Sequence, residues 1–181
     1  MRKLVLIGFV LLAAGCLPAR YTVVQDSNPA AVAIAGQSVF VSWLSLDPNS
    51  FATLNYSSAG EYAKVIANMN GELQKGLRSD YPKKNFIFAR TPTDMPPPGV
   101  DVAVFFQDPQ VKDEGGSGHS GFTIKATVKF FDAKTQHEIR SAQISASTRG
   151  INGWSQYNQE GCLEQCAYNV GNFVGETLAA Q

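Results

Sequence analysis

Between residues 122 and 130 apolar and polar side chains alternate one for one. Phe122, Ile124, Ala126, Val128 and Phe130 stand against Thr123, Lys125, Thr127 and Lys129. A period of two sends the two sets to opposite faces of a strand, one buried and one wet. Residues 132–136 read as a turn and residues 137–149 as the returning hairpin partner. Apolar parity along that partner shifts between Ile139 and Ile144, which predicts a bulge.

Other strands carry a denser apolar pattern. In residues 37–46, Val39, Val41 and Trp43 alternate with Phe40, Ser42 and Leu44, so both faces bear large apolar groups over part of the run. That predicts a strand inside the sheet. Residues 85–90 read as a short strand and residues 100–107 as a nearly continuous apolar, central one. Between them Met95, Pro96, Pro97 and Pro98 make a stiff extended connection. Residues 108–121 hold four glycines and read as a mobile loop.

Two stretches change to helical spacing. Tyr62, Val65, Ile66, Met69, Leu73 and Leu77 recur every three or four positions, with Ser57 or Ser58 as the cap and Glu61 near the positive end. Gly71 and Gly76 each weaken this helix by about 1 kcal/mol relative to alanine. A second stripe runs through Leu163, Cys166, Ala167, Val170, Phe173, Val174 and Leu178. The order is strand, helix, strand, strand, hairpin strand, helix. It predicts an α+β fold, a mixed and largely antiparallel sheet with two helices packed on one face.

The amino-terminal end follows different rules. Arg2 and Lys3 precede an apolar run over residues 4–14. The run is too short for a bilayer core, which needs about 20 residues, and has the length of a secretory signal. Leu12-Ala13-Ala14-Gly15-Cys16 then resembles the lipobox of bacterial lipoproteins. The resemblance implies a signal peptide over residues 1–15, its cleavage, and fatty acylation of Cys16, with palmitate among the expected chains. Leu17, rather than aspartate, follows the cysteine. By the sorting rule of enterobacterial lipoproteins this implies an outer-membrane lipoprotein facing the periplasm. Residues 16–36 are expected to be the lipidated terminus and tether, with a short edge strand over residues 21–24, and residues 37–181 a single α/β domain.

Charge narrows the partners. The 181 residues carry 15 basic and 15 acidic side chains. No global field is present to hold nucleic acid. Loss of Arg2 and Lys3 leaves a mildly acidic body, so attraction to anionic lipid falls to the acyl chains rather than to the surface.

Candidate chemistry is sparse. Cys162 and Cys166 are spaced for one helix face, and either a local disulfide or two reduced thiols fits. They lack the histidine partners of a zinc set, so no metal or other cofactor is expected. His119 sits in a glycine-serine loop and His137 follows a turn, and both read as solvated. Without a positioned nucleophile, base and orienting group, no catalytic residue is assigned. Trp43, Trp154, Tyr157 and Phe131 are large aromatics whose exposure would make them partner-binding groups.

The segments QSVFVSWLSL, the helix over residues 61–78, VDVAVFFQD and GFTIKATVKFFDAKTQHEIRSAQIS follow one another in a pattern. That pattern resembles the small α/β domain of the TolB amino-terminal and CsgG-like envelope lipoproteins. The resemblance is one of topology and carries over no functional residue. It implies a non-enzymatic interaction or assembly module of the cell envelope, with an envelope protein as partner. The alternative expectation is an auxiliary lipoprotein of a lipid-transport system, binding an apolar ligand between helix and sheet.

Overall fold

A computed structural model describes residues 21–27, 36–46, 54, 58–80, 84–113, 121–148 and 159–179. The strands are β1 (Tyr21–Asp26), β2 (Ser38–Val41), β3 (Asn85–Phe88), β4 (Val102–Asp113), β5 (Phe122–Asp132) and β6 (Glu138–Ser147). The helices are α1 (Ala59–Asp80) and α2 (Gln159–Ala179). The strands form one sheet in the order β1-β6-β5-β4-β2-β3. Strand β2 runs parallel to β3 and β4, and the other pairs are antiparallel. This is the α+β arrangement that the periodicity predicts.

Register assigns every strand residue to a face. Val39 pairs with Val102, Val104 with Phe130, and Ile124 with Ala146, and all of these point to the helices. They join Val65, Ile66, Met69, Leu73 and Leu77 of α1 and Leu163, Cys166, Val170 and Val174 of α2 in one core. Both helical stripes are thus buried where their spacing put them. Ser58 begins α1, its Oγ accepting the Glu61 N–H at 3.2 Å. That satisfies one of the free donors of the first turn.

The edge strand lies within the segment expected as tether. Strand β1 pairs with β6, and Arg140 holds Asp26 through its Nε, at 3.1 Å from Oδ1, and its Nη2. Tyr21 donates to Glu176 of α2 and stacks edge-on against Phe173 at 5.2 Å between ring centres. Residues 21–26 therefore belong to the folded body.

Beyond β2, residues 42–46 leave the sheet yet stay ordered through Asn70. Its Oδ1 accepts the Leu44 N–H at 2.9 Å, and its Nδ2 donates to Leu44 O and Ile66 O, each at 2.9 Å. The amide substitutes for a neighbouring strand and pairs backbone groups that would otherwise be buried bare.

Two expectations need correction. Strand β4 does not end at 107. After a register shift between Gln107 and Gln110 it pairs with β5 as far as Asp113. Asp108 adopts φ 49° at this point, and Pro109 follows. The pair reads as loop in one dimension, but it is a bulge in a continuing strand. The hairpin shift also has a location: Phe130 pairs with Arg140 and Phe131 with Glu138, leaving Ile139 as the extra residue.

The second correction concerns Gly76. It is not a weak point of α1 but the place where α2 touches it. A Cβ there would lie 2.1 Å from Tyr168 O, and a Cβ on Gly171 would lie 2.2 Å from Leu73 O. The helix backbones meet directly, so neither glycine can take a side chain without the helices separating. Gly71 has nothing within 4 Å of its would-be Cβ. Alanine at Gly76 or Gly171 is expected to destabilise the fold by about 3 kcal/mol or more. Alanine at Gly71 is expected to stabilise it by about 0.5–1 kcal/mol. Urea denaturation of the three variants checks this, and a stabilising Gly76→Ala would refute the contact.

Candidate functional site

Both helices cover one face of the sheet, and the other face is divided in two. Toward β3 it is apolar: Phe40 and Ala103 are buried, joined by half-buried Ile87, Phe105 and Phe131. Toward β1 it is polar, with Thr127, Lys125, Ser141, Gln143 and Gln25 on the same side by register. The division runs between Phe105 and its partner Lys129.

A cleft of about 590 Å³ opens at this boundary. That volume lies within the range of small-molecule sites, about 300–1,000 Å³. Its floor is Ala103, Phe105 and Phe131, with the two rings edge-to-face at 5.8 Å. Met95 and Pro96 form one wall, and Met95 is the most exposed large apolar side chain described, at 73%. Gln107, Lys129, Asp132 and Gln136 supply the polar rim. A smaller polar hollow of about 180 Å³ lies farther along the face, bordered by Gln25, Thr127, Ser141 and Gln143.

The surroundings of the cleft are braced by three aspartates. Asp132 Oδ1 accepts the N–H groups of Lys134 at 2.9 Å and Thr135 at 2.7 Å, shaping the β5–β6 turn. Gln136 closes that turn with φ 60°. Asp101 Oδ2 accepts the N–H of Gln37 at 3.1 Å and of Ser38 at 3.2 Å, while Oδ1 meets Lys134 Nζ at 3.0 Å. It thus joins the start of β2 to the turn. Asp94 Oδ2 accepts the Arg90 N–H at 2.7 Å, and Oδ1 accepts the Thr91 hydroxyl at 2.5 Å. This ties off the segment that leads to the cleft wall. The Lys134 contact holds the Asp101 carboxyl below its ordinary range, and the Thr135 and Thr91 contacts do the same for Asp132 and Asp94.

The residues singled out from the sequence divide unevenly. Phe131 lies in the cleft floor. Trp43 is half-buried and packs against both apolar clusters, so it bridges the two layers. Cys162 and Cys166 are buried in the helix-facing core. The Cys166 thiol donates to Phe122 O at 3.1 Å, and burial pushes the Cys162 thiol up in pKa. His137 is exposed in the turn. Cys16, His119, Trp154 and Tyr157 lie outside the described residues. Among the described residues no group of three or more His, Cys, Asp or Glu is placed to hold a metal ion.

Reading the sequence missed Phe105, Lys129 and the role of Met95 and Pro96. Phe105 sits in an apolar run that reads as fully buried. The signal that finds it is the pairing of Phe105 with Lys129, which places a charged residue opposite an apolar one on the same face. The sequence reading places an apolar ligand between helices and sheet, where the core residues pack, and the cleft lies on the opposite face.

No protein-family model matches the chain. No curated protein matches it. Among solved structures, the PelC dodecamer from Paraburkholderia phytofirmans in space group P6 is similar, with 14% identity and a TM-score of 0.47. The match covers 89% of this chain and 99% of that one. A point variant of PelC in space group C2 gives the same identity and coverage with a TM-score of 0.44.

The aspartates make the cleft end sensitive to acid. Their folded pKa values are depressed, so their contribution to stability is complete above the unfolded value of about 3.9 and is lost as pH falls through the lower folded values. Thermal melts of wild type are expected to drop steeply below about pH 4. Asp101→Asn should lower the melting temperature near neutral pH and flatten that acid limb. An acid limb unchanged in the variant counts against this bracing.

Proposed function

We propose that the protein is a lipid-anchored, non-enzymatic component of the cell envelope whose binding surface is the open face of the sheet. The anchor is the acylated Cys16 and the setting is the periplasmic side of the outer membrane. The observation that carries the anchor is the basic pair, short apolar run and small residues ending in Leu12-Ala13-Ala14-Gly15-Cys16. No helix among the described residues is long and apolar enough to cross a membrane. Two or three acyl chains on one sulfur and one amine supply attachment that a single chain does not.

The surface half of the reading is supported by the cleft. One sheet face is spent on the helices, and the other keeps two aromatic rings half-buried beside a polar field. An interaction module needs a concave apolar surface of this kind with polar groups at its rim. The alternative reading, an auxiliary lipoprotein of a lipid-transport system, is favoured by the hydrocarbon character of the floor and moves its ligand to the open face.

Cells fed radiolabelled palmitate are expected to label the wild-type chain and to leave Cys16→Ser unlabelled and released from the membrane fraction. A labelled Cys16→Ser variant, or an unlabelled wild type, overturns the anchor. Affinity capture from solubilised envelopes, compared with capture by Phe131→Ser, reads the surface: a partner retained equally by both counts against the open face.

A further inference from the structure

The occupant of the cleft can be argued from what its walls offer and withhold. The backbone of the floor is already paired. Ala103 sits between Phe40 and Phe131, Phe105 faces Lys129, and Phe131 lies between Ala103 and Glu138. The wall segment contains Pro96, Pro97 and Pro98, which have no N–H. A peptide laid in the cleft would bring C=O groups out of water with no free backbone N–H of the floor or of Pro96 to meet them. A hydrocarbon chain carries no such groups, and each methylene it buries contributes about 0.8 kcal/mol. The floor thus favours an acyl chain over a polypeptide.

The rim decides the head group. Asp132, the carboxylate in the lining, is engaged by two backbone N–H groups and stands beside Lys134. Lys129 Nζ meets Glu138 Oε2 at 3.2 Å, both side chains about one-third exposed. A pair so placed is worth about 0–1 kcal/mol and is readily exchanged. Farther along the same strand and face, Lys125 is exposed, and its cross-strand neighbours are Gln110 and Ser145, neither of them acidic. Leaving the apolar floor along β5, a ligand therefore meets two ammonium groups in succession.

We infer that the cleft binds a single-chain amphiphile with an anionic head, its chain on Phe105 and Phe131 beneath Met95 and its head beside Lys129. The inference rests on the open face being the binding surface, and it names what that surface takes. A carboxylate and a phosphate head share the required chemistry.

The full chain in isolated membranes can be tested with dodecanoate carrying a photoreactive diazirine near its methyl end. Labelled peptides are mapped by mass spectrometry. Labelling is expected on the segments holding Met95, Phe105 and Phe131, and unlabelled dodecanoate should suppress it. Lys129→Glu should reduce it about fivefold, as should Phe105→Ser, while a dodecylamine probe of the same length should label weakly. Competition needs no variant, so a poorly folding Phe105→Ser does not spoil the test. Lys129→Glu changes a partly exposed charge outside the core. Dodecyl phosphate competing as well as dodecanoate extends the site to phosphate heads, and its failure restricts the site to carboxylates. Uniform or unsaturable labelling, equal labelling by the amine probe, or stronger competition by a peptide than by dodecanoate overturns the inference. Palmitate incorporation at Cys16 is read independently, so loss of the anchor reading and loss of the cleft reading give different results.

Discussion

Two glycines set how the molecule is layered. Where Gly76 meets Tyr168 O and Gly171 meets Leu73 O, α1 and α2 come together backbone to backbone. That closeness lets a pair of long helices share the same side of a six-stranded sheet. Each then needs only part of its circumference for the sheet and gives another part to its neighbour. The core between them and the sheet is one continuous cluster, from Val39 and Val104 to Leu178. Side chains larger than hydrogen at the crossing would push the helices apart and open that core, since packed interiors give little.

The same economy leaves the reverse face without a helical layer among the described residues. A sheet with one covered face usually has a polar reverse. Here the reverse is polar over β1, β6, most of β5 and the later half of β4. Over β2, β3 and the first half of β4 it keeps Phe40, Ile87 and Phe105, partly roofed by the segment that holds Ala89, Met95 and Val100. The three aspartates are spent on holding this roof and the neighbouring turn in place, through backbone N–H groups rather than through one another. The cleft is therefore a built edge of the fold and not a gap in its packing.

Much of the architecture was legible because it depends on period. The alternation of residues 122–130 and the stripes of both helices are local patterns with one physical solution each. The glycine crossing was not legible, since helix propensity sees only the cost of Gly76 and not what α2 brings to it. Nor was the second half of β4, because Asp108-Pro109 uses the same residues for a bulge that chains use for a loop. For the site, Phe131 stood out as a large group at an unsheltered position. Phe105 did not, because its exposure is decided by which strands flank it and by what covers that face of the sheet. The roles of Trp154 and Tyr157 fall outside what the described residues reach.

The position of the cleft along the sheet bears on how an occupant arrives. Tyr21, the first residue of β1, lies across from Ala146 and so level with Ile124 of β5. The cleft floor lies at Phe131, seven residues farther along that strand, or about 23 Å at ordinary strand rise. From Cys16 to Tyr21 the chain takes five Cα steps, which span at most about 18 Å when fully extended. On the proposed anchoring, the sheet end bearing Tyr21 is held near the bilayer, and with the strands standing off the membrane the cleft is directed away from it. A ligand then reaches the cleft through water rather than by sliding out of the same leaflet. Each added methylene raises the cost of that aqueous passage by about 0.8 kcal/mol, so a two-chain lipid is held back far more strongly than a single chain. In that orientation, strand register and tether length select the same class of occupant that the floor and rim select by their chemistry.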